Sequence, residues 1–419
     1  MARKFDIPQF YRSGVVTALK HTRNALDQRK QDLNPTEIPC GRITFKIARH
    51  LGFCFGVENA IDIAYRAVRE NPGKRVFLLS EMIHNPHVNS DLQARGVQFL
   101  RSTSGEQLIP FEQLTPQDIV IVPAFGTTVD LFATLRERGI DPQQYNATCP
   151  FVEKVWKRAS QLGNAGFTVI IHGKHFHEET KATFSHAELS APSVIIRDMR
   201  EAEKLARYIS KQASGEEFFE EFSGKCSHGF DPARHLAKIG VVNQTTMLAT
   251  ETQAIAEYLR SVMRETYGAE ALTEHFADTR DTLCYATYEN QEAVGSLVRS
   301  GGDLALVVGG YNSSNTFHLA RICAGKLPTF YVKDADEILD LTQVRHLNLE
   351  THDVEISKDW FPVQLERVTV LITAGASCPD ALVEAVIRKV ALIAGVEPVE
   401  LEQASERYIR TAEGTAPAP

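Results

Sequence analysis

The sequence predicts an α/β protein: three similar α/β lobes with mostly parallel sheets, arranged around a common centre. Three observations lead there. From Ile43 onward, short apolar runs alternate with stretches of helical periodicity, the succession that builds parallel sheets with covering helices. Polar, donor-rich loops follow the strand-like runs, where open α/β sheets place their ligands. One local pattern, a cysteine among small or aromatic residues just ahead of a helical run, occurs three times, at Cys54, Cys149 and Cys284.

A chain of 419 residues calls for two or three domains, and 43% hydrophobic with 23% charged residues is the balance of a soluble globular protein. A formal net charge of -8 argues against a nucleic-acid partner. Seven cysteines, an odd number spread through a long chain without zinc spacing, point to a reducing compartment. No apolar run reaches the length of a membrane span, and the start opens no signal-peptide pattern. Asp6, Asp27 and Asp32 come too early for an acid-poor transit peptide. The expected setting is cytoplasmic: a bacterial cytosol, or a plastid stroma for a plant protein.

Five segments follow from the rhythm: an N-terminal extension over 1–42, lobes over 43–147, 148–281 and 282–402, and a flexible tail over 403–419. The extension contains an amphipathic helix near 15–29. Strand 43–48 alternates with period two, and the helix after Cys54 puts Val57, Ala60, Ile61 and Ala64 on one face. Strands near 76–79, 97–100 and 119–122 complete the first lobe. The second has strands near 167–171, 194–197 and 239–242, with a Gly-, Glu- and Lys-rich surface insertion near 212–235. The third has strands near 304–308, 329–332 and 368–372 and a closing helix over 380–394.

A cysteine at a helix N-terminus meets unpaired N–H groups that favour its thiolate, and Pro150 fits the first helical position. One thiolate per lobe makes a three-cysteine centre. All-thiolate ligation selects zinc or iron–sulfur, and structural sites of either kind usually take four protein ligands. A 4Fe-4S cluster on three cysteines keeps one iron open for a substrate oxygen, so the count of three points to catalysis around a central iron-sulfur cluster, one per chain. Cys40, Cys226 and Cys323 read as structural; Cys378 is the rival ligand. The loop from His172 to Lys181, with three histidines and two glutamates, reads as a place for acid–base work, with zinc binding by clustered histidines and a solvated polar loop as the other readings. The Asn312–Asn315 and Gly375–Ser377 loops can offer hydroxyls, amides and N–H groups to a phosphate ester.

The runs GFCFGV at 52–57, HNP at 84–86, ATCP at 147–150, HEET at 177–180, NQTT at 243–246, CYAT at 284–287, NSSN at 312–315 and TAGAS at 373–377 resemble, in order, the motifs of the LytB family, the 4-hydroxy-3-methylbut-2-enyl diphosphate reductases. The resemblance spans roughly Ile43 to Val399, and the extension and insertion resemble the longer plant and cyanobacterial branch. It implies reductive dehydroxylation of an allylic diphosphate to isopentenyl and dimethylallyl diphosphates, the last step of the non-mevalonate (MEP) isoprenoid pathway. It implies Cys54, Cys149 and Cys284 as cluster ligands and Glu179 as the catalytic proton donor, with Thr245 beside it. His84, His177, Ser313, Ser314, Asn315 and Ser377 become diphosphate contacts, and reduced ferredoxin or flavodoxin the electron donor. One departure stands out: compact bacterial members carry a second diphosphate-binding histidine where this chain has Phe125. Two other readings remain, a quinolinate-synthase-like dehydrating enzyme, whose site motifs are not matched, and a non-catalytic iron–sulfur redox sensor, which has no use for the Ser-Ser-Asn and Ala-Ser loops.

Overall fold

The alternation of short apolar strands and amphipathic helices resolves into three α/β sheets in the computed structural model, which describes residues 5–277 and 282–414. By contacts the chain divides into two units. One takes in the chain up to Glu58, His84–His87 and everything from Tyr285; the other takes in Asn59–Ile83 and Val88–Cys284.

The first unit is built on a seven-stranded sheet. Its centre is parallel: Ile43–Ile47 pairs with Val368–Ala374, which pairs with Leu304–Val308, which pairs with Thr329–Val332. Val368, Val370, Leu371 and Ile372 are buried, the continuous apolar run expected of a strand covered on both faces. Antiparallel strands flank this centre: Thr36–Cys40 against Ile43–Ile47 on one side, and the hairpin Gln343–Leu347 with Val354–Lys358 on the other. Pro39 is tolerated because Thr36–Cys40 is an edge strand.

Four expectations change here. The strand assigned to open the first lobe, Ile43–Ile47, lies in the sheet of the C-terminal part, because its partner is Val368–Ala374. The N-terminal extension holds an edge strand as well as its helix, Val15–Leu26, whose first N–H groups donate to Glu384 Oε2 at 2.7 and 3.3 Å from Val15 and Val16. The 343–358 hairpin has no counterpart in the sequence reading, since its outer strand is mostly exposed and lacks a clear apolar face. Of the expected tail, the helix Pro398–Gly414 carries the chain to residue 414, with Leu401 and Ala404 buried in the core; 415–419 lie outside the described residues.

The second unit holds two all-parallel sheets. Val97–Phe99, Val76–Leu78 and Ile119–Ile121 form one; Ser193–Ile196, Thr168–His172, Ile239–Asn243 and Phe276–Ala277 form the other. The stretch 212–235, expected as a surface insertion, contributes to the core. Phe218 and Phe222, one helical turn apart, and Phe230 are all buried, with Phe218 stacked on both at ring separations of 4.9 and 5.2 Å. Among the described residues no helix is long and apolar enough to cross a membrane.

Candidate functional site

In the first unit, three stretches distant in sequence meet. Ser377, in the loop after Val368–Ala374, donates from Oγ to the His84 carbonyl at 3.2 Å. A Cβ on Gly310, in the loop after Leu304–Val308, would clash with the same carbonyl, and one on Gly375 would overlap Thr316 Oγ1. Glycine is needed at both places because backbones approach so closely. Ser313 caps the helix Ser314–Ala324: its Oγ accepts from the Thr316 N–H at 3.3 Å. Ser314 Oγ is buried and has no hydrogen-bond partner among the described residues, so it is a donor held ready at a helix start. Asn315 does more than the sequence indicated. Its Oδ1 accepts from the Ala376 N–H at 3.0 Å and its Nδ2 makes a long contact of 3.5 Å with Thr287 Oγ1, so it fastens the Ser377 loop to the Ser314 helix.

In the second unit, the loop from His172 to Lys181 disperses its histidines. His172 is buried, with Nδ1 3.2 Å from Thr252 Oγ1, and His175 is exposed beside Phe176. Only His177 stays at the site, as the N-cap of Glu178–Ala187; its Nδ1 accepts from the Glu179 N–H at 3.2 Å. That bond leaves Nε2 as the protonated, donating nitrogen of a neutral ring. Phe125 and His177 form a T-shaped pair, with ring centroids 6.2 Å apart. Among the described residues no group of three His, Cys, Asp or Glu side chains gathers to hold a single metal ion, so the clustered-histidine reading of this loop does not apply.

Glu179 is 2% exposed, and both its oxygens face Thr245: Oε1 accepts from the Thr245 N–H at 2.5 Å, and Oε2 lies 2.9 Å from Oγ1. Burial pushes its carboxyl up to about 7, although the two Thr245 bonds pull the other way. It therefore holds a proton near neutrality. A 2.9 Å oxygen pair admits either donor, so a protonated Oε2 can donate to Thr245 Oγ1 and free that hydroxyl to donate onward.

The three cysteines share more than their sequence pattern. Each stands directly before a helix, Phe55–Glu70, Pro150–Asn164 and Tyr285–Arg299, one to a few residues longer at the start than the periodicity indicated. Each backbone N–H donates to a loop of its own unit: Cys54 to the Ala376 carbonyl at 3.2 Å, Cys149 to the Ala124 carbonyl at 2.9 Å, and Cys284 to the Thr245 carbonyl at 3.1 Å. Cys54, Cys149 and Cys284 are partly exposed, while Cys40, Cys323 and Cys378 are sealed in the core. Cys378, the rival ligand, has no exposed surface.

Its place at a helix start does not make Cys149 a ready thiolate. Burial outweighs the Phe151 and Val152 N–H groups that bond to the sulfur, and the thiol is pushed up to about 11, with Cys284 and Glu179 nearby adding to the rise. Such a sulfur gives up its proton when a cation replaces it. A soft donor beside a second one, in a mostly dry site with N–H groups directed at sulfur, suits an iron–sulfur cluster.

The sequence reading missed Gln244, Thr180 and Thr287 as site residues, although all three lie inside quoted motifs. Their side chains are buried, which only the fold reveals.

The sequence profile of the family described as LytB protein matches residues 45–391. A 4-hydroxy-3-methylbut-2-enyl diphosphate reductase of Gloeobacter violaceus is 38% identical over 359 residues, 85% of this chain and 84% of that protein. The protein of the same name from Parasynechococcus marenigrum is 38% identical over 390 residues, 93% of this chain and 92% of its own. A solved reductase of Plasmodium falciparum, 18% identical, superposes with a TM-score of 0.59 over 90% of this chain and all of that one. The solved structure of (E)-4-hydroxy-3-methyl-but-2-enyl diphosphate reductase, 24% identical, gives 0.50 over 83% of this chain and 98% of the other. Both support the three-lobed α/β fold.

Proposed function

The chain belongs to the LytB family, and from that premise we propose that it reduces 4-hydroxy-3-methylbut-2-enyl diphosphate to isopentenyl and dimethylallyl diphosphates. The reaction removes a hydroxyl as water and forms one C–H bond. It consumes two electrons and two protons.

Cys54, Cys149 and Cys284 hold one 4Fe-4S cluster on this reading. When bound, the cluster supplies electrons singly and a Lewis-acidic iron. The chain's own residues do the rest. His84, His177, Ser313, Ser314, Asn315 and Ser377 bind the diphosphate. Three facts support this: the neutral Nε2–H of His177, the uncommitted Ser314 hydroxyl and the N–H groups at the start of Ser314–Ala324. Asn315 contributes its remaining Nδ2 hydrogen while its oxygen keeps the Ser377 loop in place.

The observation that carries the reading is the Glu179–Thr245 pair. A buried carboxyl with its proton held near pH 7, bonded through a hydroxyl that can pass the proton on, is the acid a departing hydroxyl needs. Phe125, T-shaped against His177, packs beside that histidine and is assigned no binding role. The electrons come from reduced ferredoxin or flavodoxin. A reducing compartment, a bacterial cytosol or a plastid stroma, is the setting that seven free thiols fit.

The test is anaerobic purification with iron and sulfide analysis, then turnover of the allylic diphosphate with a reduced dye. About four irons per chain and formation of both products support the reading. Fewer than about three irons, or no product from iron-replete protein, overturns it.

A further inference from the structure

The Glu179–Thr245 pair is the upper of two rungs. One residue along on each side, Thr180 and Gln244 make a second. Gln244 has no exposed surface, and its carboxamide reaches three separate stretches of the second unit. Oε1 accepts from the Lys174 N–H at 3.1 Å and from Thr180 Oγ1 at 3.0 Å; Nε2 donates to Thr246 Oγ1 at 2.8 Å. The Gln244 N–H also donates to the His172 carbonyl at 2.8 Å. Side chain and backbone together, this one residue joins the strand end at His172, the loop at Lys174, the first turn of Glu178–Ala187 and the Asn243–Thr246 turn.

Gly173 shows how tightly this is closed. A Cβ there would stand 2.7 Å from Thr180 Oγ1 and 3.0 Å from Gln244 Cβ. Neither neighbour is the end of a free, flexible chain, so a methyl at Gly173 would drive the two sides of the lower rung apart.

We infer that Gln244 is a positioning residue for the reaction, clamping the Glu179 helix onto the Thr245 turn so that the two proton-handling side chains stay in register. The physical reason lies in the tolerance of proton transfer, which needs donor and acceptor oxygens held within about 0.5 Å. Glu179 comes from a helix and Thr245 from a turn after a different strand, and no covalent link near the site fixes their separation. Gln244 and Thr180 supply that link next to it. The inference deepens the proposed function and rests on it for its kinetic consequence; the geometric clamp itself stands apart.

The experiment has two arms on the iron-replete chain. In the first, amide hydrogen exchange at Thr245, whose N–H is bonded to Glu179, is measured in wild type, Gln244→Leu and Thr180→Val. Exchange at least about 10-fold faster in Gln244→Leu, and several-fold faster in Thr180→Val, is expected if the lower rung holds the upper. In the second, kcat and KM are measured with a reduced dye. Gln244→Leu should lower kcat at least about 10-fold while KM changes less than about three-fold and iron content is unchanged. Gln244→Glu should recover most of kcat, since a carboxylic acid kept neutral by burial offers the same acceptor and donor. Gly173→Ala, which removes no hydrogen-bonding group, should reproduce the kcat loss.

Unchanged Thr245 exchange in Thr180→Val overturns the clamp, even if Gln244→Leu fails to fold. So does a Gln244→Leu enzyme whose kcat matches wild type, or whose loss is matched by loss of iron. A wild-type chain that turns over no diphosphate would refute the proposed function, and the exchange arm would still decide the clamp.

Discussion

The sharpest prediction concerns the proton on Glu179. A carboxyl at its ordinary value of 4.5 would be about 0.1% protonated at pH 7.5; pushed up to about 7, it is about a quarter protonated. Burial therefore multiplies the active acid by a factor of about 200 at that pH. With Glu179 as donor, kcat should be flat at acid pH and fall tenfold per pH unit well above 7. Thr245→Val is the informative perturbation. It keeps the side-chain volume and the 2.5 Å backbone bond to Oε1, and deletes the 2.9 Å hydroxyl contact to Oε2. A hydrogen bond to a charged group is worth about 1.5–3 kcal/mol, so kcat should fall about 10- to 100-fold. The pH limb should move upward, because the lost bond is one of the two that lower the Glu179 value. Steady-state kinetics of wild type and variant from pH 5.5 to 9, with a dye whose reduction does not itself set the rate, tests both effects. A limb that stays in place or moves to lower pH refutes the assignment of the titrating acid to Glu179.

The same buried groups lead to further expected outcomes. Glu179→Gln should keep its iron and lose turnover; retained activity would remove the proton-donor role. Cys378→Ser should leave iron content unchanged, since Cys378 is sealed in the core, whereas Ser at Cys54, Cys149 or Cys284 should reduce it, as iron analysis would show. Glu178 and Glu179 are both raised to about 7 in the fold. A raised carboxyl contributes stability that is present below its unfolded value of 4.5 and lost as pH rises through 7, so denaturant midpoints should fall over that window, by up to ~3 kcal/mol from Glu179. His172, lowered to about 4, has the opposite sign: its contribution is present above 6.5 and lost as pH falls toward 4. Finally, Phe218→Ala should cost about 3–5 kcal/mol in chemical denaturation, because Phe218 is buried and stacked on two rings.

Much of the architecture was legible because burial and periodicity coincide. Leu304–Val308 and Thr329–Val332 fall where their apolar runs begin and end. The cysteine pattern was legible for a local reason: helix starts leave a signature within a few residues. Sheet partnership was not, since nothing in Ile43–Ile47 says whether it pairs with Val76–Leu78, its neighbour in sequence, or with Val368–Ala374. The insertion misled because its glycines and charged residues outnumber its four phenylalanines, yet three of those rings are buried and carry the packing. Within the site, His177 and Glu179 could be singled out from their motif. That Asn315 and Gln244 spend their amides on fastening loops follows only from what those amides touch.

The pairing of Ile43–Ile47 with Val368–Ala374 has a consequence in time as well as space. A ribosome emits the first of these strands about 320 residues before the second, roughly half a minute at about 10 residues per second. Until then, Ile43–Ile47 lacks the partner that makes it a central strand, and the Ala376 carbonyl that fixes the Cys54 N–H does not yet exist. Cys149 and Cys284, by contrast, belong to a unit whose sheets are complete once residue 277 has emerged. The nascent chain therefore has two of the three proposed ligand thiols in place well before the third, so a cluster inserted on the proposed ligands can be completed only near the end of synthesis. A truncated chain ending before Val368 should take up far less iron than the full chain, even though all three cysteines are present.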